Sequence, residues 1–401
     1  MNKSQSGLSR RRLLELAAGA GAASIALPFA RPALAQAGPI KVGVMLPYTG
    51  TFAQLGEAIT NAMELYVKQK GGTLAGRAIQ FVKVDDESEP PKAPALASKL
   101  VQGEKVDILI GSVHSGVALA MSKIAREENV PTIIPNAGAT ALTRALCAKN
   151  IFRTSFTNTQ VGLATGQAMA AEGIKKVVTC AWKYAAGDEF VQGFAETFAL
   201  GGGQIVKSID VPFPNVEFQS ALAEIASIKP DAVYVFFAGG GAAKFVKDYA
   251  AANLKATIPL WGSGFLTDGV EQAIVGAGDG VKTVLHYADD IDNPENKAFR
   301  AAYLAATKKA ADVYAVQGWD TMQLLEVGLK AVGGDVSKRD ALNTAMSKAS
   351  FKSPRGPFKL SASNNPIQNF YLREYKNGAN ALIKTAVTDY ADPGTGCRLS
   401  S

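Results

Sequence analysis

Two glycine-rich turns, a short acidic run and two histidines are the places where this 401-residue sequence could hold chemistry. Gly111-Ser112-Val113-His114-Ser115-Gly116 has the spacing of a phosphate loop, but Val117-Ala118 stands where that loop needs a lysine and a hydroxyl. Gly239-Gly240-Gly241-Ala242-Ala243-Lys244 approaches a dinucleotide turn and lacks its last glycine. There is no Gly-x-Ser-x-Gly elbow to expose a nucleophilic serine. His114 and His286 lack the spacing of metal ligands, and no Cys-x-x-Cys pair accompanies them, so no metal site is expected. Asp85-Asp86-Glu87 reads as a solvated strand end capping the next helix. With no nucleophile, base or cofactor motif, neither an enzyme nor a cofactor is expected, and binding is what remains. Ser115-Gly116 and Gly138-Ala139-Thr140 each stand just after a strand, where a helix start would aim unpaired N–H groups and partial positive charge at an anion.

The elements that must hold these residues follow a strand, loop and helix rhythm. Ile40 to Leu46 is continuously apolar, and Leu55, Ile59, Met63 and Tyr66 then recur at helical spacing until Gly71-Gly72. Strand signals follow at 79–84, 107–110 and 130–134, with helices around 93–101 and 116–128. The rhythm restarts at 176–182 and continues through 203–210, 231–237, 258–261 and 281–287. Strands that are apolar throughout imply parallel sheets covered on both faces, hence an α/β fold of two doubly wound Rossmann-like lobes. Helical patterns near 294–306, 314–332 and 338–349 come next, and strands at 356–360 and 369–374 close the chain. A tail that returns to the sheets suggests a chain crossing between the lobes more than once.

The N-terminus reads as an export address over residues 1–35. Arg10-Arg11-Arg12-Leu13-Leu14 precedes an alanine-rich apolar stretch, and Ala33-Leu34-Ala35 supplies the small residues of a cleavage site, so the mature chain is expected to begin near Gln36. The paired arginines resemble a twin-arginine signal, with Leu13 where that pattern usually has Phe. The apolar stretch is shorter than the ~20 residues that span a bilayer, and no later segment reaches that length. Four of the seven net positive charges lie in this leader, which leaves no basic stripe for nucleic acid. The expected location is the periplasm, where one pair among three cysteines should bond. Cys180 sits inside a strand, whereas Cys147 and Cys397 are loop residues, so those two are expected to pair and to staple the tail to the first lobe.

Leu46-Pro47-Tyr48-Thr49-Gly50-Thr51-Phe52-Ala53-Gln54-Leu55-Gly56, then Asp85-Asp86, Ile110-Gly111-Ser112, Ile134-Pro135-Asn136-Ala137 and Ile151-Phe152-Arg153-Thr154, resemble the periplasmic solute-binding proteins of ABC transporters, branched-chain amino-acid type. The resemblance covers nearly all of the mature chain. It implies a type I periplasmic binding fold, a three-crossing hinge, closure over one small molecule, and delivery to an ABC permease in the inner membrane. It places lobe 1 at 38–157 plus 287–350 and lobe 2 at 158–286 plus 351–392. A sensory binding protein of the same fold is the other reading.

On the first lobe the resemblance implies ligand contacts at Phe52, Leu55, Ser115, Asn136, Gly138, Ala139 and Thr140, although Ser115 and Thr140 also read as plain helix caps. On the second it implies Tyr184, Gly240 and Gly264, with His286 at the floor. Amino-acid-binding members place an acidic side chain where Gly264 stands, and tyrosines where Ala186 and Gly240 stand. The expected pocket is therefore larger and lacks a counter-charge for an ammonium group. The segment from Phe351 to Phe358, with Asn365-Pro366-Ile367-Gln368-Asn369, resembles the branch that serves aromatic acids. The expected ligand is a small organic acid, an aromatic carboxylate first and a branched-chain or other amino acid as the alternative, which Asp188 or Glu189 could assist.

Overall fold

The computed structural model describes residues 38–400, so the export segment lies outside the described residues. β1 (Ile40–Leu46) is buried almost throughout, as a strand covered on both faces must be. The chain continues through α1 (Ala53–Gln69), a two-residue β2 (Thr73–Leu74), β3 (Arg77–Asp85) and α2 (Ala93–Ser98). It returns by β4 (Ile108–Gly111), α3 (Ser115–Glu127), β5 (Thr132–Ile134) and β6 (Ile151–Arg153). These strands form one sheet in the order β2-β3-β1-β4-β5-β6, parallel except for the β2–β3 pair. The helix expected over 93–101 keeps α-geometry only to Ser98, and a wider π-turn occupies Lys99–Gly103.

The second half begins with α4 (Asn158–Ala171), β7 (Lys176–Lys183), α5 (Ala185–Leu200), β8 (Gln204–Pro212) and α6 (Gln219–Ile228). β9 (Ala232–Phe236), α7 (Gly239–Ala251), β10 (Leu260–Ser263) and β11 (Lys282–Leu285) extend the same alternation. Three helices follow, α8 (Pro294–Thr307), α9 (Val313–Ala331) and α10 (Arg339–Ser347), and α9 packs against α1 on the first half. The chain then adds β12 (Ser350–Ser353), β13 (Gly356–Leu360), β14 (Pro366–Lys376) and β15 (Ala379–Tyr390). The second sheet runs β12-β13-β14-β11-β10-β9-β7-β8, with β15 paired to β14 and the last four strands antiparallel. Passages between the halves therefore fall between β6 and α4, between β11 and α9, and between α10 and β12.

One buried guanidinium joins the first of these passages to α9 and to the β12–β13 turn. Arg355 donates to the carbonyls of Thr154 at 2.6 Å and Ser155 at 3.4 Å, and pairs with Asp320 of α9 at 2.9 Å. The tail is fastened to the first half: Arg144 holds Asp392 by two bonds of 2.9 and 2.8 Å, and Cys147 is bonded to Cys397. Cys180 is buried in β7, and burial pushes its thiol up to about 12, so it is a packing residue.

Candidate functional site

Where the carboxyl ends of the two sheets face each other, a narrow and nearly filled cavity, with about 20 Å³ of free space, is lined by residues of both halves. The first half contributes Phe52, Leu55, Val113, Ser115, Asn136, Gly138 and Phe156, with Tyr314 from the start of α9. The second contributes Asn158, Tyr184, Ala186, Phe190, Phe236, Ala238 and Phe265. Of the residues expected from sequence, Phe52, Leu55, Ser115, Asn136, Gly138 and Tyr184 lie on this wall.

The wall is predominantly aromatic. Phe190 stacks on Phe236 with ring centroids 4.3 Å apart, Phe156 lies 4.9 Å from Phe265, and Phe265 lies 6.0 Å from Tyr314. Such a box offers flat faces and edges to a ring of similar size. Tyr184 packs flat on His114 at 4.5 Å, so each half supplies one ring of that stack. Burial lowers the His114 imidazole to about 4, and its Nδ1 accepts the Gly116 N–H at 3.1 Å as the N-cap of α3.

Backbone-to-backbone packing of α4 on α5 places the second-half wall. A Cβ on Gly162 would stand 2.3 Å from the Phe190 carbonyl oxygen, and one on Gly193 would stand 2.5 Å from that of Thr159. Only glycine allows this approach, which brings Asn158, Glu189 and Phe190 to the cavity rim.

The polar groups cluster at one end. Asn158 donates from Nδ2 to Ser115 Oγ at 3.2 Å and to Glu189 Oε2 at 2.8 Å, and the Ser115 hydroxyl keeps its own hydrogen to donate. Asn136 donates to Gln317 Oε1 at 2.8 Å. Arg153 is fully buried beneath this end and donates to the carbonyls of Ala139, at 2.7 Å, and Phe156. No carboxylate lies within ion-pairing distance of it among the described residues, and desolvation lowers it to about 10, so it stays charged at neutral pH. A cation held this way makes the polar end favourable for an anion.

Tyr314 stands in front of a group of buried carboxyls. The Tyr314 hydroxyl is buried without a hydrogen-bond partner among the described residues. Burial raises its pKa strongly, with further push from Asp268, Asp312 and Glu271. Asp268 is itself paired with Arg373 at 2.6 Å, yet burial raises it to about 6 and Asp312 to about 7.

Five of the expected contacts lie off this wall. Gly264 is not an enlargement of the pocket: a Cβ there would meet Leu285 Cβ at 2.4 Å and Arg373 Nη2 at 2.7 Å, so protein already fills that space. Gly240 is exposed at the start of α7, with Thr51 its only near neighbour. His286 is buried behind Phe156, its ring centroid 5.6 Å away, and approaches Gln317 at 3.4 Å. Ala139 and Thr140 form the turn beside the cavity, but the Thr140 N–H is taken by Glu189 at 3.0 and 3.2 Å. Phe156, Asn158, Phe190, Phe236, Phe265 and Tyr314 were not foreseen. Phe236 and Phe265 could have been found at or just past the carboxyl ends of their strands, and Phe190 one helical turn beyond Ala186.

A larger concavity of about 570 Å³ opens to solvent between α1 and the turn at 269–273, edged by Gln54, Asn61, Glu271, Lys308 and Asp312. Apart from Tyr303 its walls hold no aromatic rings, and nothing in it is built around a ligand.

A family model described as periplasmic binding protein matches residues 39–380. The chain belongs to this family. Among solved structures, a solute-binding protein of an ABC transporter from R. palustris in complex with benzoate is 64% identical, over 90% of this chain and 100% of that one, with a TM-score of 0.89. Another, from Rhodopseudomonas palustris BisB5 in complex with 3,4-dihydroxy benzoic acid, is 34% identical over 89% and 99% of the two chains, with a TM-score of 0.84. Among curated proteins, the Leu/Ile/Val-binding protein homolog 6 of Brucella abortus (strain 2308) is 30% identical over 349 residues, covering 85% of this chain and 88% of that protein. As a periplasmic binding protein, the chain carries the two doubly wound lobes expected from its sequence.

Proposed function

We propose that this protein is the extracytoplasmic solute receptor of an ABC importer, that it takes a benzoate-type aromatic carboxylate between its closing lobes, and that it hands this ligand to an inner-membrane permease. The observation that carries the reading is the aromatic box with a single anion-favouring end, in a chain 64% identical to a benzoate-bound receptor. In this reading the ring lies among Phe190, Phe236, Phe265 and Tyr184. The carboxylate faces Ser115, Asn136 and the field of Arg153, where the polar donors of the cavity gather. A ring hydroxyl at the far end would find the free Tyr314 hydroxyl as its partner. The protein supplies no catalytic step. Lobe 1 (38–157 plus 287–350) and lobe 2 (158–286 plus 351–392) rotate about the Arg355 knot, and a ligand touching both shifts the population toward the closed form. Export by the residue 1–35 leader, by the twin-arginine route, completes the proposal and places the receptor in the periplasm.

The curated name of the Brucella relative favours a second reading, a branched-chain amino acid as ligand. Calorimetric titration of the mature protein with benzoate, 4-hydroxybenzoate, 3,4-dihydroxybenzoate, leucine, isoleucine and valine separates the two. Tight binding of an aromatic acid with none of the amino acids is expected. Tight binding of leucine alone would overturn the aromatic reading.

A further inference from the structure

The anion position on the first lobe is filled by a side chain from the second. Glu189, on α5, places its carboxylate on the Thr140 backbone N–H, with both oxygens at 3.0 and 3.2 Å, and accepts from Asn158 Nδ2 at 2.8 Å. The same Asn158 nitrogen reaches Ser115 Oγ at 3.2 Å. Arg153 lies beneath, bonded to the carbonyl of Ala139, the residue just before Thr140, and Glu189 is one of the two carboxylates whose charge it feels. Glu189 therefore draws on the donors and the buried cation that a ligand carboxylate at Ser115 would also use.

We infer that Glu189 is a specificity-determining residue that acts as a built-in carboxylate competitor, its charge opposing any anionic ligand at the Ser115 end of the cavity. The inference rests on the aromatic-acid reading. Its consequence is a receptor whose affinity for monocarboxylates is held below what the site could deliver, and which discriminates strongly against a second negative charge on that side of the ring. A benzoate carboxylate can be accommodated because Asn158 stands between the two anions and Arg153 answers both. An ortho-dicarboxylate adds a second charge with no donor left for it, since Thr140 and Asn158 are already used. Glu189 is half-buried at the start of α5 and belongs to neither apolar core, so replacing it leaves those cores untouched.

The test compares wild type with Glu189→Gln, which keeps the acceptor for Thr140 and removes the charge, and with Glu189→Ala, which removes both. Benzoate and phthalate are titrated into each by calorimetry, with thermal unfolding to verify folding. The expected result is that Glu189→Gln binds benzoate roughly 3- to 30-fold more tightly, from relief of one like-charge repulsion at a partly screened site. Phthalate should gain by a larger factor than benzoate. If Glu189 is chiefly a clasp holding the lobes together, both variants bind benzoate more weakly, and the inference is wrong. Equal gains for the two acids, or no change, also overturn it, because charge then does not set the selection. A wild-type protein that binds no aromatic acid at all defeats the functional reading instead, so the two failures are distinguishable.

Discussion

Gly239 offers a way to wedge the lobes apart with one methyl group. It stands at the start of α7 with φ of +55°, and a Cβ there would lie 2.1 Å from the carbonyl oxygen of Thr51 on the opposite lobe. Carbon–oxygen contacts settle near about 3.3 Å, so Gly239→Ala forces the two backbones apart by roughly 1.2 Å. The Gly241 N–H donates to Thr51 Oγ1 at 3.2 Å, and such a displacement takes that bond past hydrogen-bonding range. Losing it costs about 1 kcal/mol, and the overpacked contact adds about 1 to 2 kcal/mol, both felt only when the lobes are closed. Affinity for the acid should therefore fall by roughly 30- to 150-fold. The left-handed backbone costs alanine about 1 kcal/mol as well, but equally in open and closed forms, so it lowers thermal stability and leaves affinity alone. Calorimetry gives the first quantity, unfolding of the ligand-free protein the second, and small-angle scattering should show the variant failing to compact at saturating ligand. A variant that is about 1 kcal/mol less stable yet binds within twofold of wild type would refute the premise that these lobes must meet at Thr51 for tight binding.

Ser115→Ala should weaken the bound acid by roughly 1 to 3 kcal/mol in calorimetry if its hydroxyl holds the carboxylate, with little change in unfolding temperature. For His114, the folded pKa of about 4 lies below the ordinary 6.5, so the unfolded chain binds the proton first as pH falls. The stabilisation is complete above about pH 6.5 and declines through pH 4, so the stability difference between wild type and His114→Asn should shrink by about 3 kcal/mol over that window in urea unfolding curves; a difference that does not vary with pH would contradict it. The raised carboxyls Asp86, Asp268 and Asp312 act in the opposite sense, which is why the difference and not the wild-type curve is the useful quantity. Cys397→Ser should cost about 2 to 5 kcal/mol of stability by thermal unfolding, and non-reducing peptide maps of the wild type should contain the Cys147–Cys397 pair.

The parts of the fold legible in the sequence are those where one chemical requirement governs a whole segment. β1, β4, β5 and β9 are nearly or wholly buried, so each reads as an apolar run, and the rule that ligands sit past strand ends then brings Ser115, Asn136 and Tyr184 to one place. β15 escaped notice because it is an edge strand with much of its length exposed, paired by its backbone to β14, and its sequence carries no alternation to betray it. Gly264 misled for a related reason. A missing side chain reads as space, yet whether space exists depends on what a distant segment brings in, here Leu285 and Arg373. Glu189 is the sharpest case: it lies three positions after Ala186, but its meaning comes from Thr140 and Asn158, which reach it through the glycine contacts of α4 with α5. Sequence could suggest Glu189 as a partner for a ligand cation. Its actual partners are hydrogen-bond donors, with a buried guanidinium nearby, which turns the same carboxylate from an attraction for an ammonium into a rival for an acid. The sign of its effect on binding is thus a property of the closed lobes, and no reading of one segment could have supplied it.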